Sequence, residues 1–212
     1  MKASNANMIM HLAMNDEVKA KVVEELKQKV FKDQIEAGKV PIDIRETLTY
    51  DRIIDLSYLS MVFSETIRLE PPVIFSGVMK VTQETEIGGI TIQPSDNFIV
   101  SFQQLHHDPD QWGSNHDLFI PERFDPTSSH YLTPSGTRRH PLAFSPFFGG
   151  KRICIGQTFA EVIAKIVVPG LLARLDFEFA DPAQKTMQKP ILNVDMIEQP
   201  KIMMIVKQAN YA

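Results

Sequence analysis

A single cysteine, Cys154, stands among 212 residues, which excludes an intramolecular disulfide framework and any zinc site built on several thiolates. A reducing compartment fits such a chain. An excess of positive charge is also missing: 22 basic residues against 26 acidic ones give a net charge of −4, so nothing marks the chain as a nucleic-acid binder. Long apolar runs are lacking too, since the longest, residues 162–175, is interrupted by Lys165 and Arg174 and falls short of the ~20 residues needed to cross a bilayer. Near the N-terminus Ser4, Asn5, Asn7, His11 and Asn15 break up what would have to be the core of a signal peptide. The chain as given is therefore expected to be soluble. It has no internal repeat and no low-complexity segment. What is present, 43% hydrophobic and 23% charged residues, is the composition of a chain that folds.

Helix and strand signals divide the chain. Val18, Val22, Leu26 and Val30 recur at i+4 after Asn15, a candidate cap, with Gly38 beyond the end. The Met- and Leu-rich stretch before Asn15 has no start signal and reads as the last turns of a helix that begins before Met1. A second strong pattern, Leu59, Val62, Phe63 and Ile67, predicts a helix over residues 57–69 that Pro71 and Pro72 stop, and residues 50–56 form a weaker one. Residues 78–82, 90–92 and 98–102 have strand character and read as a small sheet, with Gly88-Gly89 and Pro94-Ser95-Asp96 between them. A proline-rich segment follows over residues 105–147, a length unusual for a compact domain unless the loop has a task. Residues 156–175 are helical again, with Phe159, Ile163, Ile166, Val167 and Leu171 on one side and Pro169 expected to kink the end. Residues 191–194 and 202–206 read as a closing β-hairpin.

The densest chemical signal is Phe144-Ser145-Pro146-Phe147-Phe148-Gly149-Gly150-Lys151-Arg152-Ile153-Cys154-Ile155-Gly156, a glycine-rich loop that enters a helix and holds the only thiol. A helix N-terminus and two neighbouring cations favour negative charge at the sulfur. A lone cysteine is more often a small buried hydrophobe, but glycines and an arginine at this spacing weigh against that reading. Elsewhere Glu65 and Arg68 are helical neighbours at i and i+3, a pairing that on a solvated surface means little. His106-His107-Asp108-Pro109 could suggest a metal site, yet it lacks Cys or acidic ligands at fixed spacing, and a polar strand end is the plainer reading. A thiol enzyme using Cys154 with His106 or His107 would need those side chains within hydrogen-bond reach.

Phe147, Gly150, Arg152, Cys154 and Gly156 together resemble the haem-binding signature of the cytochrome P450 family, the haem-thiolate monooxygenases. The resemblance implies haem b (iron protoporphyrin IX) as cofactor, Cys154 as axial ligand of its iron, and Arg152 paired with a propionate. Glu65-x-x-Arg68 and the arginine of Pro121-Glu122-Arg123-Phe124 are similar to the family's Glu–Arg–Arg network, which implies that Glu65, Arg68 and Arg123 are buried together as structure, not catalysis. The implied fold is mainly α with a small β-sheet, the C-terminal portion of the P450 fold. Residues 1–212 would then be the C-terminal part of a single haem-binding domain, from the end of its distal helix to its C-terminal hairpin.

The implied reaction inserts one oxygen atom from O2 into an organic, lipophilic substrate, with electrons from a flavin or iron–sulfur reductase. Val73, Ile74 and Phe75, and Met196 and Ile197 in the tail, match positions that face the family's substrates, although apolar residues there could equally pack into a core. The family's oxygen-activating acid and alcohol fall before Met1, so no catalytic residue is assigned. A non-catalytic truncated remnant that binds haem is therefore the alternative. Met79 stands where a propionate ligand is common, with Lys80 adjacent. Lys151, Arg152, Arg138, Arg139 and Lys165 suggest a basic face for the reductase. For a full-length parent the resemblance points to the cytosolic face of the endoplasmic reticulum membrane.

Overall fold

The computed structural model describes residues 2–39, 41–186 and 203–209. Helix α1 (Lys2–Met14) is followed by α2 (Asp16–Lys29), the helix expected from the Val18, Val22, Leu26 spacing, and these three residues are buried. Asn15 does not cap α2 as the sequence suggested. Its Nδ2 donates back to the His11 carbonyl (2.8 Å), which its own backbone N–H also reaches (3.0 Å), so the side chain closes α1 instead. Three short helices, α3 (Lys32–Glu36), α4 (Ile44–Thr47) and α5 (Tyr50–Ile54), lead into α6 (Ser57–Leu69), which ends ahead of Pro71 as expected.

The start of α6 is capped from another helix. Glu25 of α2 accepts from the backbone N–H groups of Tyr58 (3.0 Å) and Leu59 (2.9 Å) and from Ser57 Oγ (3.2 Å). A carboxylate placed there satisfies free N–H groups and the positive end of the helix together. The main core gathers Met8, Val22, Leu26, Leu56, Leu59, Val62, Val168 and Leu172, so α1, α2, α6 and the last long helix share one apolar interior.

Among the described residues the strands form three separate antiparallel pairs, not one small sheet. β1 (Met79–Lys80) pairs with β4 (Asn97–Phe98), and β2 (Thr85–Ile87) pairs with β3 (Ile90–Ile92) around Gly88-Gly89. The expected strand over residues 98–102 stops early, because Ser101 caps α7 (Phe102–His106) by accepting from Gln104 N (3.2 Å). The proline-rich segment is likewise more ordered than a loop: α8 (Pro109–Trp112) and single 3₁₀ turns at Pro121–Phe124, Ser129–Tyr131 and Pro141–Ala143 carry it.

Helix α9 (Gln157–Leu172) runs through Pro169 for a further turn, with Ala173 N donating to the Pro169 carbonyl (2.8 Å). Its buried side is Ala164, Val168, Pro169 and Leu172, while Phe159 is 58% exposed and Ile166 36%. The apolar stripe read from the sequence therefore partly faces outward. β5 (Leu175–Phe179) then pairs in register with β6 (Met204–Gln208), Leu175 opposite Gln208 and Phe179 opposite Met204. The second arm of the expected closing hairpin thus pairs with β5, directly after α9; its first arm, residues 191–194, and Met196 and Ile197 lie outside the described residues. No helix of the described residues is long and apolar enough to cross a membrane.

Candidate functional site

The carboxylate of Glu65 is fully buried at the middle of α6. Arg68, one turn later, grips it with two parallel bonds, Nε to Oε2 (2.7 Å) and Nη2 to Oε1 (2.8 Å). Arg123, brought in by the Pro121–Phe124 turn, places Nε 3.4 Å from Glu65 Oε1, and Ile120 N–H donates to the same oxygen (2.9 Å). The spare N–H groups of both arginines go to backbone carbonyls: Arg68 to His106 (2.9 Å), His116 (2.7 Å) and Leu118 (3.3 Å), and Arg123 to Trp112 (2.8 Å) and Asn115 (2.6 Å). Two buried cations around one carboxylate persist only because carbonyl dipoles solvate the remaining charge. The three residues named from the sequence are brought together, and they organise residues 106–123 around them.

A third cation, Arg139, joins this region. Arg139 donates to the carbonyls of Gln111 (2.9 Å), Arg123 (3.1 Å), Tyr131 (2.6 Å), Leu132 (3.3 Å) and His130, and its guanidinium lies 4.5 Å from the centre of the Trp112 ring. Arg68 lies 4.9 Å from that ring. Burial, with Arg123 nearby, lowers Arg139 to about 10, so it stays charged at neutral pH. Its expected place on a basic outer face is corrected: its donors are consumed inside the segment it ties. Lys165 is also engaged, donating to the Ile54 carbonyl (3.1 Å). Lys151, Arg152 and Arg138 remain exposed.

The cysteine loop sits at the edge of this network. His106, fully buried, accepts the Ser145 N–H at Nε2 (3.0 Å) while its carbonyl accepts from Arg68. Burial, reinforced by Arg68, lowers His106 to about 4, so at neutral pH the imidazole is uncharged and its lone pair is free to accept. His106 therefore does not sit at a polar strand end, and it bonds the loop backbone, not the thiol. Beyond Ser145, Phe148 N donates to the Ser145 carbonyl (3.1 Å) and Cys154 N to the Phe147 carbonyl (2.8 Å). Gly150 has φ +58°, a conformation in which a side chain is strained, and Phe148 adopts φ +66° without being glycine, at a cost of about 1–3 kcal/mol.

The Cys154 thiol is free and exposed at the start of α9. Its neighbours on the chain are exposed as well, with Ile153 at 56% and Ile155 at 104%. The backbone N–H of Arg152 donates to the Gly149 carbonyl (3.3 Å), while its side chain makes no hydrogen bond or ion pair among the described residues. Gly156 has ordinary backbone angles, and a Cβ built there would come 3.7 Å from the Cys154 sulfur, an ordinary contact. Phe147 is half-buried against the main core, and Phe148 meets Phe102 edge-on with ring centres 5.6 Å apart. Through Phe102, whose N–H donates to the Ile74 carbonyl (2.9 Å), the loop is linked to the segment of Val73, Ile74 and Phe75, where Val73 and Phe75 are about half exposed.

The structure thus combines a pinned loop that offers an exposed thiol just before α9 with a buried Glu–Arg–Arg network. A sequence profile of the cytochrome P450 family matches residues 4–206, and the chain belongs to that family, whose prosthetic group is haem. Among curated relatives it is similar to "Cytochrome P450 734A5" of Oryza sativa subsp. japonica, 34% identical over 62% of this chain and 24% of the relative. It is also similar to "Steroid 17-alpha-hydroxylase/17,20 lyase" of Peromyscus leucopus, 30% identical over 95% of this chain and 36% of the relative, and to "Cytochrome P450 4d10" of Drosophila mettleri, 32% identical over 90% and 33%. The chain thus spans between a quarter and just over a third of the length of these relatives.

Proposed function

We propose that Cys154 is the thiolate ligand of a haem b iron, and that residues 1–212 are the C-terminal part of a haem-thiolate monooxygenase domain that oxidises an organic, lipophilic substrate with O2. The observation that carries this reading is the exposed Cys154 thiol on a loop tied to the buried His106 through the Ser145 N–H. The residues present fit the group. Exposed apolar side chains beside the thiol suit a flat apolar macrocycle, and Arg152, uncommitted within the described residues, suits a propionate. Haem supplies dioxygen activation when bound, and a thiolate ligand favours O–O cleavage.

What the chain itself contributes is placement. Gly150 and the Phe147 carbonyl turn the loop so that Cys154 N–H is tied and its sulfur is left toward solvent. Val73, Ile74 and Phe75 supply an apolar edge for substrate, and one relative is by name a steroid hydroxylase, which acts on an apolar class of molecule. Exposed Lys151, Arg152 and Arg138 would meet an acidic flavin or iron–sulfur reductase.

The test is the ferrous carbon monoxide spectrum of the full-length protein that carries these residues. Wild type should show the far-red-shifted Soret band of thiolate ligation, and Cys154→Ala should lose it. An unchanged spectrum in the variant removes Cys154 from the iron. Turnover of substrate alongside the band separates a working enzyme from a haem-binding remnant.

A further inference from the structure

We propose that His106 is the positioning residue of the Cys154 loop: its Nε2 holds the Ser145 N–H and so passes the order of the buried Glu65–Arg68–Arg123 network to the cysteine. Among the described residues, this is the one hydrogen bond from residues 144–156 to a part of the chain beyond the adjoining turns. The remaining bonds of the loop are local, closing on Leu142, on the loop itself or on α9.

The connection is short. Arg68 Nη1 donates to the His106 carbonyl (2.9 Å), the His106 ring accepts from Ser145 (3.0 Å), the Ser145 carbonyl accepts from Phe148 (3.1 Å), and the Phe147 carbonyl accepts from Cys154 (2.8 Å). Two rings fix the imidazole laterally, Phe144 with its centre 5.4 Å away and Phe102 at 6.3 Å. The strained Phe148 backbone sits just past Ser145, and a strained turn persists only while its surroundings hold it. Without the bond, the ring contacts of Phe144 and Phe148 would still attract the loop, but they are non-directional and do not fix where Cys154 points.

The inference rests on the assignment of Cys154 as haem ligand for its spectroscopic consequence, and on the Ser145 bond alone for its structural one. Two variants of the full-length protein test it. His106→Leu removes the acceptor and keeps an apolar side chain; His106→Gln keeps an acceptor at similar reach. In His106→Leu the Ser145 amide should exchange with solvent about tenfold faster while the α6 amides keep their protection. The thiolate-type Soret band of its ferrous carbon monoxide complex should convert several-fold faster to the blue-shifted form of a protonated or displaced thiol. His106→Gln should recover most of both effects.

Wild-type Ser145 exchange in His106→Leu overturns the proposal, and so does an equal loss in Leu and Gln variants accompanied by loss of α6 protection, which marks His106 as core filling only. If wild type shows no thiolate band, the assignment of Cys154 fails, and the Ser145 exchange still decides for or against His106.

Discussion

Two regions of this chain, one around Glu65 and one around Cys154, are built on opposite rules. Around Glu65 the charges are at 0–2% exposure, and nearly every donor of Arg68 and Arg123 has a carbonyl or carboxylate to meet. Around Cys154 part of the backbone is hydrogen-bonded within the loop, yet the side chains of Lys151, Arg152, Ile153, Cys154 and Ile155 are exposed. The first region spends nearly all of its donors on itself; the second ties five of its amides, those of Ser145, Phe148, Arg152, Ile153 and Cys154, and leaves its side-chain chemistry over. A structural ion network must close on itself because any stranded charge is costly in a low dielectric. A ligand site must do the reverse and keep its reactive groups unspent.

The sharpest way to break the comparison is Glu65→Ala. It would leave the Arg68 and Arg123 guanidinium groups buried without their anion, a loss of about 3–5 kcal/mol, and chemical denaturation of the full-length protein should show it. Arg123→Ala should also be severe, and Glu65→Ala with Arg123→Ala far less than the sum of the two, because both break one network. Small and additive effects would mean that the region is not closed in the sense argued here.

A milder effect separates buried polar groups that are closed from one that is not. Glu70, just past α6, is pushed up to about 8 by burial, and burial lowers His11, 3.8 Å away, to about 3. At pH 7 neither carries its charge in most molecules. For Glu70 the folded value lies above the unfolded one, so its proton stabilises the fold below about 4.5 and that contribution fades as pH rises through about 8. His11 works in the opposite sense between about 3 and 6.5, where stability rises with pH, so the Glu70 effect stands alone between about 6.5 and 8. Stability should fall across that window by on the order of 1 kcal/mol per pH unit at most, and Glu70→Gln should flatten the slope. An unchanged slope in the variant would show that Glu70 is not buried as a neutral acid.

The smallest expected effect sharpens the open region. If Lys151 is left exposed to meet an electron donor, Lys151→Glu in the full-length protein should slow reduction by its reductase several-fold at low salt, with the difference shrinking as salt rises. The same exchange at Arg139, whose donors are spent on carbonyls, should instead lower stability. A salt-independent or absent rate effect at Lys151 removes that residue from the docking face.

Much of this was legible in the residues. The i+4 apolar spacing of α2, the stop at Pro71 and the Gly88-Gly89 turn are local matters, and local sterics and burial decide them. Glu65, Arg68, Arg123 and Cys154 were named because their residue types and spacing match a known pattern, and the fold brings the first three together. Asn15, by contrast, had two ways to use its side chain, and the nearer unsatisfied carbonyl of His11 took it.

What the sequence by itself determined is where the long helices α2, α6 and α9 lie and which residues can carry charge, bend the chain or ligate a metal, because propensity, periodicity and side-chain chemistry act over a few residues. Only the tertiary structure decided that Ala164, Val168 and Leu172 of α9 face inward, that β5 takes β6 as its partner, and that Arg139 and His106 turn to carbonyls and a loop amide instead of solvent or metal. Those outcomes depend on which unsatisfied groups the chain brings within about 3 Å of one another across long separations, and no local rule contains that distance.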